Sequence, residues 1–369
     1  MGKRELVLIA LFAIVGAVVY QFTAPPPPPG SEGFSLSRIL QGMRRHVQGN
    51  RASAQVERTR SEAADESLQE LRFALPGTDL TVTGEDRTDV AIQVRITSNG
   101  FDEAEAKRLA EISNLVVTRA GSSLVFGMNF PREGRQSAKL LIKAPKRLRM
   151  RLEPMGGGKL EVSNLAGVEV LGIGSDASIK NISGPVVVNQ RRGSLAIEGA
   201  GSLKLTMQGD TKATHVSGVL TVQARGGELN LGDITGPAEI EARNTDVRIE
   251  SIKLLKAPLR VDATNGSLKI EGLRTEARID GRDTGLDITF DAPAAVTIYS
   301  TGEDIVVTPP PGGYNLDAVA TDGRITVDDD TVKPSGNEGE QRASGPVHGG
   351  GPLLTLRATR AEITVRGRT

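Results

Sequence analysis

From Gly158 to about Asp330 the chain repeats itself at a mean spacing of about 18 residues, and this period constrains the fold more than any other feature. Each unit opens on a turn signal followed by alternating apolar and polar residues. The first apolar residues after the turns read Leu160, Ile179, Leu195, Ala213, Leu229, Val247, Leu268, Leu286, Ile305 and Ile325. A second phrase keeps the same beat, with "NLAG", "NISG", "HVSG" and "DITG" closing on Gly167, Gly184, Gly218 and Gly236. Each unit holds two strands too short to bury a face alone, so neighbouring units must stack. The spacing predicts an all-β chain built as a β-solenoid (β-helix) of roughly ten short coils. Leu229, Leu231, Ile234 and Ile240 are expected to point inward, and Asn230, Glu239 and Glu241 to water.

Composition agrees. Glycine supplies 43 of 369 residues, aromatics only 3%, and the apolar positions are mostly aliphatic, which suits turns and pleated, half-buried strands. Lys plus Arg (45) balance Asp plus Glu (45), so no global field draws the chain to nucleic acid. The absence of cysteine excludes disulfides, thiolate metal sites and a Cys nucleophile.

Around the repeats lie other segments. In residues 1–24, Lys3 and Arg4 precede an uncharged apolar stretch, Leu6 to Phe22. The only nearby cleavage pattern, "FTA", runs at once into Pro25, so a single uncleaved transmembrane signal anchor is expected rather than a removed signal peptide. Residues 25–60 read as a spacer and basic juxtamembrane linker. Pro25 to Pro29 is an extended, stiff run, and Leu36, Ile39, Leu40, Met43 and Val47 follow at helical spacing among Arg38, Arg44 and Arg45. That segment suits either a helix on anionic headgroups or a short helix in a polar linker. Residues 61–157 predict a small β-rich cap region with one helix near 102–112, where Asp102 is the N-cap and Ala106, Leu109 and Ile112 share a face. Residues 158–330 hold the repeats, 331–351 are expected to be a disordered Gly-rich loop, and 352–369 read as closing strands that cap the far end.

The stretch "LLIKAPKRLRMRLEPMGGGKLEVSNLAGVEV", with later turns such as "TNGSLKIEGL" and "TDGRITV", resembles the bacterial putative-adhesin family, whose members carry a β-solenoid head domain of the auto-transporter adhesin type. The resemblance runs from about Leu68 to the C-terminus. The chain departs from the pattern in its turns, since only Asn265-Gly266 and Asp322-Gly323 keep the Asn/Asp-Gly form, beside "RRGS", "RGGE" and "RNTD". The resemblance implies a membrane-tethered, extracytoplasmic protein with its N-terminus in the cytoplasm and the repeats periplasmic or extracellular. It supplies no catalytic residues to carry over.

Few residues offer chemistry. Gly172, Gly174 and Ala177 match a dinucleotide-binding pattern, but a strand follows where that motif needs a helix. His46, His215 and His348 are spread over a linker, a turn and a loop, which gives no metal or triad spacing. Asp328 to Thr331, "DDDT", lacks the pattern of a calcium loop and reads as a solvated turn. Asp280, Asp283, Asp287 and Asp291 could serve a sugar-cleaving enzyme, yet there is no Trp, and Tyr299 and Tyr314 are the only tyrosines beyond the apolar N-terminal stretch. The densest one-sided charge is "KAPKRLRMRLEP", where Arg147, Arg149 and Arg151 are expected on one face of a strand and Leu148, Met150 and Leu152 on the other. Such a row either holds an anionic polymer or headgroup, or is an ordinary solvated face.

The expectation is therefore a non-catalytic binding, adhesin-like or envelope-architecture protein without cofactor or metal. Its expected partners are the membrane, through the N-terminal helix, and an envelope polymer or another protein, not nucleic acid. A polysaccharide-active enzyme on the same scaffold, or an envelope-stress sensor signalling through the anchor, are the alternatives.

Overall fold

The computed structural model describes residues 52–154, 157–250 and 258–367. The chain divides into two compact units. Among the described residues the smaller contains 52–55, Thr97–Ile112 and Pro131–Gln136, and the larger contains Val56–Ile96, Ser113–Phe130 and the described residues from Ser137 onward. In the smaller unit the helix Glu103–Ile112 starts where Asp102 caps it. The Asp102 carboxylate accepts the Glu105 N–H at 2.8 Å, and the Glu105 carboxylate reaches back to accept the Phe101 N–H at 2.7 Å. Ala106, Leu109 and Ala110 form its buried face, while Ile112, expected on that face, is exposed.

The larger unit is a stack of parallel layers, each with one strand in either of two columns. In the first column Glu70–Ala74 pairs Arg149–Leu152, which pairs Gly167–Ile173, and the ladder continues through the second halves of Ala177–Gln190 and Leu195–Met207 to Leu220–Arg225 and Ala238–Arg243. In the second column Thr78–Glu85 leads through Leu160–Ser163 and the first halves of the same two long strands to Thr211–Val216, Glu228–Ile234 and Asp246–Glu250. Inward positions line up in register. Leu80, Leu160, Ala177, Leu195, Thr211, Leu229, Val247, Leu268 and Leu286 follow one another, every one of them buried. The beat read from the sequence was two residues late at Ile179 and Ala213, because Ala177 and Thr211 take the first inward places. Buried Thr211 is not left unpaired: its hydroxyl donates to the Gln190 side-chain oxygen at 2.8 Å, and Gln190 Nε2 donates to the Gly193 carbonyl at 2.6 Å.

The recurring four-residue phrase is a corner. Asn164, Asn181, His215 and Asp233 all have φ between 52° and 58°, one layer after another, and Gly199 fills the place between Asn181 and His215 with φ 80°. Asn and Asp tolerate this left-handed region better than most residues do. Their side chains also stack, Asn181 Nδ2 donating to Asn164 Oδ1 at 3.3 Å. The corner at the other end of the layer follows the same rule through Asn244, Asn265 and Asp283.

An all-β chain with one short helix is what the sequence led us to expect, but the rest of the expected fold is corrected. The expectation was roughly ten solenoid coils in chain order, with a separate cap region and a preceding transmembrane helix. Instead, the 27 described strands join in one sheet whose layers leave chain order at both ends. Ser123–Asn129 stacks on the outer side of Glu70–Ala74, with Phe126 and Phe73 stacked at 4.7 Å, so the supposed cap supplies the first layers itself. Leu353–Thr359 is no closing strand either, because it pairs Val296–Thr301 on one edge and Tyr314–Thr321 on the other. Residues 331–351, expected to be disordered, contain Ser335–Gly336 and Glu340–Val347, the latter antiparallel to Tyr314–Thr321 over eight residues. The small inward side chain there, Ala343, gave no apolar period to read. Similarly, the strand Ala52–Ala63 begins inside the expected linker. No helix among the described residues is long and apolar enough to cross a membrane, and the stretch Leu6 to Phe22 lies outside them, as do the proline run and the amphipathic segment after it.

Candidate functional site

The three arginines singled out by the sequence do not form one row. Leu148, Met150 and Leu152 are buried as expected, which turns Arg149 and Arg151 outward from the strand Arg149–Leu152. Arg147 stands in the turn before the strand. Its guanidinium donates to three backbone carbonyls, those of Ala64 at 3.0 Å, Asp65 at 2.6 Å and Leu68. Arg151 is neutralised by Glu169 at 3.1 Å in the next layer and by Glu153 at 3.5 Å two residues on. Arg149 is exposed and has no carboxylate within ion-pair distance among the described residues, and its stem lies against Gly167.

Arg147 and Arg149 meet instead at a cleft of about 460 Å³, together with Gln69, Glu70, Arg72, Ser122 and Ser123. Register explains the grouping, since Ser123, Glu70 and Arg149 are directly paired across three neighbouring strands. Glu70 is held by an ion pair with Arg72 and by the Ser123 hydroxyl, which donates to it at 3.3 Å. The Asp65 carboxylate is turned away to Ser67 and Arg119, and those hydrogen bonds lower its pKa to about 2.

A second cleft, about 400 Å³, lies near the C-terminus between Pro309–Pro311, Tyr314, Asp329 and His348. No motif marks it, because its walls come from four separated segments. His348 Nε2 lies 3.2 Å from Asp329, whose carboxylate also accepts the Thr331 N–H at 2.8 Å. Burial, with the Asp329 charge beside it, pushes the Tyr314 hydroxyl up to about 12, far from the range of a general base near neutral pH. Among the described residues lining this cleft there is no Ser, Thr, Cys or Lys, and the Thr331 hydroxyl beside it donates to the Asp329 carboxylate at 2.5 Å.

The other sequence candidates stay dispersed. Gly172 lies in the strand Gly167–Ile173, and Ala177 begins the next strand, where a dinucleotide site needs a helix. His215 pairs Asp233 at 3.4 Å in a corner, far in sequence and layer from His348, and His46 is outside the described residues. Asp328 accepts the Gly367 N–H at 3.0 Å, and no group of three His, Cys, Asp or Glu suited to a metal occurs among the described residues. Asp280 is bound to Arg278 at 2.9 Å and Asp291 to Arg274 at 3.3 Å. Asp283 holds a corner, and Asp287 stands in the opposite column from Asp280, so the four do not converge.

What repeats on the first column is a matched pair. Glu241, Asp262 and Asp280 follow one another in register on three layers, and each carboxylate binds an arginine two residues away on its own strand: Arg243 at 2.6 Å, Arg260 at 3.1 Å and Arg278 at 2.9 Å. Arg278 also lies 5.0 Å from the ring of Tyr299 in the following layer.

No curated protein matches the chain significantly. Among solved structures it is similar to a protein of Parabacteroides distasonis described as a "putative adhesin", at 12% identity over 70% of this chain and 95% of that one, with a TM-score of 0.39. It is also similar to a "putative lipid binding protein" of the same organism, at 10% identity over 84% and 97%, with a TM-score of 0.33. A third is a "putative cell adhesion protein" of Clostridium sporogenes, at 8% identity over 85% and 100%, with a TM-score of 0.19. A family model, Toastrack DUF4097, matches residues 68–345, about three quarters of the chain and almost the whole span over which the sequence resembled adhesins. The chain belongs to the Toastrack DUF4097 family.

Proposed function

We propose that this chain is a non-catalytic binding protein that works outside the cytoplasm, held at the membrane by its N-terminal segment, and that its lateral faces engage an extended envelope component. The observation that carries this reading is the row Glu241, Asp262 and Asp280, each closed by its own arginine. General acid–base chemistry needs carboxylates in unlike environments that push their proton affinities apart. Here three successive layers each bind their carboxylate to an arginine two residues away on the same strand. A face that repeats at about 4.8 Å per layer suits contact along a polymer more than enclosed chemistry. The descriptions of the similar proteins as adhesins and as a lipid-binding protein point the same way without adding geometry. For the location, Lys3 and Arg4 before the uncharged Leu6 to Phe22 stretch are offset by Arg38, Arg44 and Arg45 beyond it, so the cytoplasmic N-terminus rests on the resemblance to the adhesin family.

The test is fractionation followed by retention. Full-length protein is expected to stay with membranes through carbonate washing, to be cut by protease added from outside, and to co-sediment with purified envelope polysaccharide. Release into the soluble fraction, or protection from external protease, contradicts the placement. Failure to co-sediment contradicts the binding role.

A further inference from the structure

Resting on that reading of the chain as a binding protein, we propose that the cleft between Arg72, Arg147 and Arg149 is a subsite for a dianionic phosphomonoester group on the partner. The charges of its lining do not cancel. Glu70 is matched by Arg72, which leaves Arg147 and Arg149 as two positive charges with no carboxylate of their own in the cleft. Nearby Asp65 does not supply one, because its carboxylate is taken by Arg119 at 3.0 Å.

Arg147 is the unusual member. Three neutral carbonyls fix its guanidinium and leave its charge whole, so the cation is already ordered before any ligand arrives. Five N–H groups on a guanidinium less three used leave two to donate. Arg149, two residues on at the start of the strand Arg149–Leu152, brings an unoccupied fork, and Ser122 and Gln69, which also line the cleft, add neutral donors. One free guanidinium fork on Arg149 and the ordered positive charge of Arg147, with the single Nε–H and Nη1–H that its carbonyl bonds leave, together match a tetrahedral dianion, the fork binding two oxygens and Arg147 supplying the second charge. Arg151 is excluded from the subsite, although it sits only two residues beyond Arg149, because Glu169 and Glu153 already bind it.

The experiment is a calorimetric titration of full-length protein with inorganic phosphate at pH 7.5 and constant ionic strength, with chloride as the blank. The parent is expected to bind one phosphate per chain saturably. Arg149→Gln is expected to weaken binding at least tenfold and Arg151→Gln to leave it unchanged. Arg147→Lys, which keeps the charge but not the guanidinium that the carbonyls hold in place, is expected to fall between them while retaining the circular dichroism of the parent. Glycerol 3-phosphate and vesicles containing phosphatidic acid then separate a free phosphomonoester from a lipid headgroup. A folded parent that takes up no phosphate overturns the subsite, as does an Arg149→Gln protein that binds like the parent or an Arg151→Gln protein that loses as much as Arg149→Gln. If the same parent still co-sediments with envelope polysaccharide, the subsite alone fails and the binding role stands.

Discussion

Leu231→Asp is expected to destabilise the protein by about 4 kcal/mol or more, read as a fall in the urea midpoint at unchanged slope. Leu231 is buried between Ala213 and Ile249 of the adjoining layers, and an aspartate there loses the apolar contacts while bringing in a charge with no partner. One residue earlier the outcome reverses. Asn230 lies on the outer side of the same strand, between Lys212 and Arg248 in register, and its amide donates to Glu228 at 2.9 Å. Asn230→Asp gives up that bond beside Glu228 but gains two flanking cations, so a change within about 0.5 kcal/mol is expected. Equal losses at the two positions would mean that the inward and outward assignment is wrong.

Gly236→Ala is the second large effect, at about 3 kcal/mol, and it comes from the backbone rather than the core. A Cβ at Gly236 would stand 2.2 Å from the carbonyl oxygen of Gly218 in the layer below, and one at Gly218 would stand 2.2 Å from that of Gly201. Neither contact can be relieved by turning a side chain, since both carbonyl oxygens are backbone atoms. The layers would have to separate at that corner. Gly285→Ala is the matched control, because a Cβ there meets nothing within 4 Å, and a thermal melt is expected to show no loss or a slight gain. A Gly236→Ala protein that melts with the parent would refute the close approach of layers at this corner.

The glycine corner and the inward ladder were legible in the sequence for one reason: both obey local rules. Alternation marks which residues face in, and left-handed corners select Asn, Asp and Gly, so "NISG" and "DITG" announce themselves. Layer order was not legible. Leu353–Thr359 alternates in the same way whether it closes the stack or lies between two other strands, and pairing on both edges is a fact of tertiary structure alone. The arginine site failed for a related reason. Arg147 looked like the first member of a strand face, but the strand starts at Arg149, and Arg147 serves carbonyls about 80 residues back. The cleft gathers residues near 70, 122 and 148, separations that no period reveals.

One signal was present and unused. In a stack with an 18-residue repeat, charges one period apart become neighbours, as Arg151 and Glu169 do at 3.1 Å and Lys180 and Glu198 at 3.4 Å. Opposite charges at that separation mark Arg151 as already paired from the sequence alone. The same spacing leaves Arg149 unmatched, since the residue 18 positions on is Gly167. Exposed pairs of this kind add little stability, so their use is to identify which charges are already spoken for.

On the function proposed above, the chain binds envelope polymer without cleaving it. The measurement that bears on it most directly is product analysis on the same envelope polysaccharides that retain the protein, incubated at high enzyme-to-polymer ratio and assayed for new reducing ends, unsaturated ends and loss of polymer length. Polymer that is bound and fully intact after prolonged incubation is the expected result. Products that accumulate with time, and that vanish when Asp329 or His348 is replaced, would contradict it.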